Sequence, residues 1–124
     1  MNWYKIAQLM ELNYGCWLSP EGKVIPVSNY GHDEKALELG FKDYWDIIKH
    51  GYLRIVIHDQ RIGIGHYKTP LTSSQKRIIE QLFSELVEKN EYSSEIITLA
   101  LTSSLYGNVS IHNMNELRVL LSRI

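Results

Sequence analysis

Apolar residues recur along the chain with two different periods, and the switches between them mark out its elements. Ile6, Leu9 and Met10 fall on one helical face, with Trp3 near its start, which predicts a short helix over Asn2–Leu12 closed by Asn13-Tyr14-Gly15. Cys16–Leu18 and Lys23–Val27 then flank Ser19-Pro20-Glu21-Gly22, a sequence with Pro and Gly placed for a tight turn, which predicts a hairpin. Two helical turns are expected at Asp33–Leu39, stopped by Gly40, and a helix over Tyr44–His50 capped by Asp43 and stopped by Gly51.

The clearest alternation follows. Leu53, Ile55 and Ile57 on one strand, and Ile62 and Ile64 on the next, predict a second hairpin from Tyr52 to Tyr67 with Ile57 opposite Ile62. Asp59-Gln60 is a poor type I′ pair, which favours a four-residue loop, His58–Arg61, over a two-residue one. Thr72-Ser73-Ser74-Gln75 reads as a capping box opening the strongest helix, Ser73–Lys89, with Ile78, Ile79, Leu82, Phe83, Leu86 and Val87 at helical spacing. The β-branched run in Glu95–Leu101 reads as a strand, with a helix over Ser94–Tyr106 left open. A turn near Tyr106-Gly107-Asn108, a strand at Val109–Ile111 and a helix at Met114–Ser122, capped through Asn113 and Glu116, complete the chain.

The predicted fold class is α+β: an antiparallel sheet built from hairpins, with helices packed on one face, in the order α-ββα-ββα-ββα. All 124 residues are assigned to a single domain, because no Gly-, Ser- or Pro-rich linker interrupts them. Composition changes this picture little. At 44% hydrophobic the chain can fill a core without disulfides, and its one cysteine, Cys16, cannot form an internal one. Met1–Met10 has neither the apolar run nor the cleavage site of a secretory leader, and no stretch is apolar enough to cross a bilayer. The expectation is a cytoplasmic protein that does not engage membranes.

Net charge is −1, but it is unevenly spread. Lys49, Arg54, Arg61, Lys68, Lys76 and Arg77 share their stretch with a single acid, Asp59, while Glu80–Glu95 is acidic. Such asymmetry is common on solvated surfaces, and it also suits an anionic partner for the middle segment.

Trp17-Leu18-Ser19-Pro20-Glu21-Gly22-Lys23, followed by His32 and Ala36, then Gly51-Tyr52-Leu53-Arg54-Ile55 and Leu71-Thr72-Ser73-Ser74-Gln75, resembles small uncharacterised proteins encoded by bacteriophages and prophages. The resemblance covers roughly Cys16–Leu86, and its motifs are turn and cap chemistry. It implies no activity. It does imply a setting: an accessory or host-takeover protein in the bacterial host cytoplasm.

The outer face of the central hairpin is the main candidate site. Alternation turns Tyr52, Arg54, Val56 and His58 of one strand, and Arg61, Gly63, Gly65 and Tyr67 of the other, away from the core, with Lys68 beyond. Arg forks bind phosphate and Tyr rings stack on bases, so ligand binding is assigned to Tyr52, Arg54, His58, Arg61, Gly63, Gly65, Tyr67 and Lys68. The plainer reading is that the glycines admit a neighbouring side chain closely and the rest are solvent-facing strand residues.

Other chemistry is weakly signalled. Gly63-Ile64-Gly65 lacks the third glycine and the following helix of a dinucleotide fingerprint. His32, His50, His58, His66 and His112 show no ligand spacing, and His58 and His66 should point to opposite faces, so no metal and no cofactor is expected. Cys16 reads as core, and the pairs Asp43/Asp46 and Glu85/Glu88 as solvated helix faces. No catalytic residue is assigned.

The leading expectation is a non-catalytic accessory protein that binds an anionic small molecule or a host protein, for example sequestering a nucleotide signal or blocking a defence protein. A nucleic-acid-binding role is the alternative, and a small hydrolase or nuclease using His58 or His32 comes third. Homo-oligomerisation is left open.

Overall fold

A computed structural model describes residues 3, 5–6, 15–26, 36–89 and 96–124. Most of the expected first helix, residues 27–35 with His32, and residues 90–95 lie outside the described residues, although Trp3, Lys5 and Ile6 are helical as anticipated.

Among the described residues six strands form one sheet: β1 (Cys16–Leu18), β2 (Val24–Pro26), β3 (Leu53–His58), β4 (Arg61–His66), β5 (Thr98–Ser103) and β6 (Gly107–Ile111). Their order is β2-β1-β3-β4-β5-β6. The helices described from end to end are α1 (Tyr44–Lys49), α2 (Ser73–Phe83) and α3 (Met114–Arg123), residues 36–38 are also helical, and a π-helical turn, Ser84–Glu88, continues α2. The class is α+β, as expected.

Two features of the expected architecture are corrected. The sheet is mixed rather than antiparallel, because β4 and β5 run parallel from Arg61↔Thr98 to His66↔Ser103. The cause is the long helix between them: a chain that leaves one strand and crosses the sheet before the next strand returns in the same direction. Nor do the helices share one face. Alternation sends Cys16, Leu18, Leu53, Ile55, Ile62, Ile64, Leu99 and Leu101 to the main core, where Ile78, Ile79, Leu82 and Phe83 of α2 and Leu117 and Leu121 of α3 cover them. Trp17 and Ile25 point the other way and pack with Ala36 and with Ile47 of α1, a smaller core on the second face.

The caps at Asp43 and Thr72 hold as the sequence suggested, and the capping box expected at Asn113 and Glu116 forms in its Asn113 half alone. Asp43 Oδ1 accepts from Asp46 N at 2.9 Å, and Gly51 takes the left-handed φ of 87° that ends α1. Thr72 and Gln75 complete the capping box of α2. Asn113 Oδ1 accepts from Glu116 N at 2.9 Å, while the Glu116 carboxylate reaches one residue further back, to His112 N at 2.8 Å.

The β3–β4 turn differs from expectation. His58 pairs with Arg61, so the loop is the two-residue Asp59-Gln60, with φ of 49° and 61°. These are type I′ values reached without glycine. Ile97 N donates to Gln60 O at 3.0 Å, so the start of β5 helps hold the turn in a conformation its own residues disfavour.

Candidate binding face

The register places the candidate residues in rows across the second face. Arg54, Gly65, Thr102 and Asn108 lie side by side on β3, β4, β5 and β6, and Val56, Gly63, Ala100 and Ser110 form the next row. The expected outward set is thus on one face, and it extends onto two strands the hairpin reading did not include. His58 falls on this face and His66 on the other, as the alternation requires.

This face has a walled half and an open half. Arg54 belongs to the wall. Its Nη1 donates to Cys16 O at 3.2 Å, and its guanidinium sits 5.3 Å from the centre of the Trp17 ring, with only 9% of the residue exposed. Burial lowers its pKa from the usual arginine value, opposed by Tyr44 and Cys16. A guanidinium held this way is a packing element, not a free phosphate fork. Tyr52 is also drawn in: half-buried, it meets Phe41 edge-on at 5.3 Å, and burial, then Glu21, raises its phenol pKa. Tyr44 stacks obliquely on Trp17 at 5.1 Å and edge-on against Trp45, which is 61% exposed at the rim.

The open half is built from small residues. Gly63, Gly65 and Ala100 are half-buried, and Thr102, Asn108 and Ser110 are exposed. The glycines serve packing in part. A Cβ on Gly63 would meet Val56 Cγ2 at 3.2 Å, and one on Gly65 would meet Arg54 Cβ at an ordinary 3.5 Å. Cationic side chains stand at both ends of β4. Arg61 is exposed at one end, beside the exposed His58 ring, and Lys68 at the other, its Nζ 5.8 Å from the centre of the half-buried Tyr67 ring. The six residues of β4 span about 17 Å, five steps of ~3.4 Å, and Lys68 lies two residues beyond them. His58 Nε2 lies 3.1 Å from Asp59 Oδ2, an exposed pair that adds little to stability. Of the predicted binding residues, then, His58, Arg61, Gly63, Gly65, Tyr67 and Lys68 remain with the open floor, whereas Tyr52 and Arg54 form its wall.

The structure also joins residues that the sequence reading did not connect. His66 Nδ1 lies 2.7 Å from Ser103 Oγ, His66 Nε2 meets the Thr69 carbonyl, and the imidazole stacks on Tyr106 at 5.1 Å. A carbonyl only accepts, so Nε2 carries the proton and the Ser103 hydroxyl donates to Nδ1. Burial lowers the His66 pKa, against a smaller opposing effect of the Thr69 carbonyl. A Ser–His pair with an oriented imidazole is the outline of a hydrolase dyad, but its oxygen is already used: Ser103 Oγ accepts from Leu105 N at 3.1 Å and Tyr106 N at 2.9 Å. Ser103 is also 7% exposed. With its lone pairs engaged and no approach for a substrate, it is a turn-forming serine. Nothing in the sequence signals the pair, because its members are brought together by the parallel register alone.

Gln75 is the other such residue. Beyond its cap, its Nε2 donates to Leu18 O at 3.2 Å and Gly51 O at 2.8 Å, and Thr72 Oγ1 donates to Pro20 O. The hairpin, the glycine before β3 and the start of α2 are stitched together there, so the motif residues of this region act structurally. Cys16 is fully buried, and burial pushes its thiol up to about 12, which makes it a poor nucleophile. Among the described residues no three His, Cys, Asp or Glu side chains gather as a metal site, and no helix is long and apolar enough to cross a membrane.

No family model, curated protein or solved structure matches the chain.

Proposed function

We propose that this chain is a binding protein without chemistry of its own, which takes an anionic ligand across the open half of the second sheet face. The carrying observation is the floor of Gly63, Gly65, Ala100 and Thr102, free of large side chains, with Arg61 at one end of β4 and Tyr67 and Lys68 at the other. Ring systems can lie on such a floor, and the cations meet phosphate at its ends. A nucleotide-like signal is the small molecule this suits, and an acidic surface of a host protein is the macromolecular counterpart. The resemblance of the Trp17–Lys23 hairpin to phage proteins supports a role in the host cytoplasm, sequestering a signal or blocking a defence protein.

Titration with ATP, followed by calorimetry, tests the site. Arg61→Ala with Lys68→Ala should weaken binding at least ~10-fold, the size of one or two charge-assisted hydrogen bonds, with thermal stability unchanged. Wild-type affinity in that double variant removes this face as the site. The ~17 Å length of β4, with Arg61 at its start and Lys68 beyond its end, also favours a second reading, a single strand of nucleic acid laid along it. A labelled thymidine oligonucleotide separates the two, since its affinity should fall steeply with salt through counterion release.

A further inference from the structure

The sheet ends in two edges of different character. β2 is three residues long, contains Pro26, which has no amide hydrogen to offer, and follows Lys23. These are the features that keep an edge from pairing. β6 is longer, and its sequence Gly-Asn-Val-Ser-Ile has neither proline nor charge. Beside it runs a groove of about 690 Å³ between β6 and α3, lined by Tyr106, Val109, Ile111, Val119 and Leu120, with Glu116 and Arg123 at its margins. Val119 is 49% exposed, an aliphatic side chain left in water beside a strand whose outer edge pairs with no described strand.

We infer that β6 and the adjoining flank of α3 form a two-fold interface with a second copy of this chain. The charges choose that occupant. Leu117 and Leu121 of α3 face the core, which turns Glu116, Val119, Leu120 and Arg123 together to one flank. An antiparallel two-fold that brings Val119 against the partner's Leu120 also brings Glu116 against the partner's Arg123, and Arg123 against the partner's Glu116. The same operation about Val109 pairs Gly107 with the partner's Ile111 and Asn108 with the partner's Ser110, the register of an antiparallel strand pair. One axis is required to pass both Val109 and the midpoint of Val119 and Leu120, which would serve the edge, the apolar groove and both charges, the self-complementarity an isologous contact needs. The product is a continuous twelve-stranded sheet across two copies, with the two α3 helices side by side (twice the six strands of one chain). This interface does not rest on the proposed ligand site, although Asn108 and Ser110 of β6 also lie on that face.

Sedimentation equilibrium of the full chain tests it. The wild type should be a dimer at micromolar concentration. Arg123→Glu should raise the dissociation constant about tenfold or more, by replacing two attractive pairs with two repulsive ones. Glu116→Arg should do the same, and the Glu116→Arg, Arg123→Glu double variant should dimerise again, because the swap restores opposite charges only when the partner carries it too. Glu116 also caps α3, so circular dichroism accompanies each variant, and Val119→Arg, at an already exposed position, gives a second disruption that leaves the cap intact. A monomeric wild type overturns the proposal. So does a dimer indifferent to Arg123→Glu and Val119→Arg, or a folded double variant that stays dissociated.

Discussion

On the second face of the sheet, β1, β2 and β3 contribute Trp17, Ile25 and Arg54, whereas β4 and β5 contribute Gly63, Gly65, Ala100 and Thr102. Both sets follow the same alternation. The large residues recruit α1 and become a second core, with Trp17, Ala36 and Ile47 fully buried. The small ones recruit none of the described helices. A sheet face is therefore not exposed or covered as a whole; the volume its side chains can bury decides it strand by strand. Arg54 marks the boundary, its stem beside Gly65 and its guanidinium over Trp17.

The largest test of this contrast is at the wall. Trp17→Ala should cost about 3–5 kcal/mol, since it empties a closed site and strips the Arg54 guanidinium of its ring. On the open half, Thr102→Ala should stay within about 0.5 kcal/mol. Urea denaturation measures both, and comparable losses would erase the distinction between the halves.

A smaller effect is expected from the residue that ties the two parallel strands together below the floor. His66→Ala should cost about 2 kcal/mol, because the Ser103 hydroxyl and the Thr69 carbonyl both lose a partner. It should also change the pH response. Burial lowers the folded pKa, so below the unfolded value of about 6.5 the unfolded chain takes up the proton first. The stability His66 contributes is whole above that pH and declines as pH falls beneath it. Denaturation midpoints between pH 7.5 and 5 should show that decline in the wild type and less of it in the variant.

The turn should give a gain, smaller than the losses at Trp17 and His66. Replacing Asp59-Gln60 by Asn-Gly should stabilise the chain by about 1 kcal/mol, since both positions have left-handed φ and the replacements tolerate it. Thermal melting reads this directly, and a loss instead would mean that the native pair makes contacts worth more than its strain.

Much of the wall and floor could be read from local sequence. Period-two alternation in Leu53–Ile57 and Ile62–Ile64 gives the register and hence the outward set, and Asp43, Thr72 and Asn113 announce their helices through short polar side chains. The two-residue turn was hidden because Asp59-Gln60 lacks the glycine that usually marks it, its conformation being held in part through Ile97. The division of labour within the candidate site was hidden for a different reason. Arg54 and Tyr52 share the pattern of Arg61 and Tyr67, but β1 and α1 lie over only the first pair, and that depends on strand order. Strand order depended in turn on whether the chain crosses back after α2, which no periodicity encodes.

The parallel joint between β4 and β5 bears on how the molecule is assembled. An antiparallel hairpin can zip outward from its turn, but β4 and β5 have no common turn and meet only after α2, which lies between them in the chain, has crossed the sheet. The β5–β6 hairpin with α3 is too small to hold a core by itself. Its half of the floor and its free edge consequently come into being together, with the last long-range closure. The proposed ligand and the proposed second copy would then be offered their surfaces by the finished chain alone, so that folding would precede either encounter.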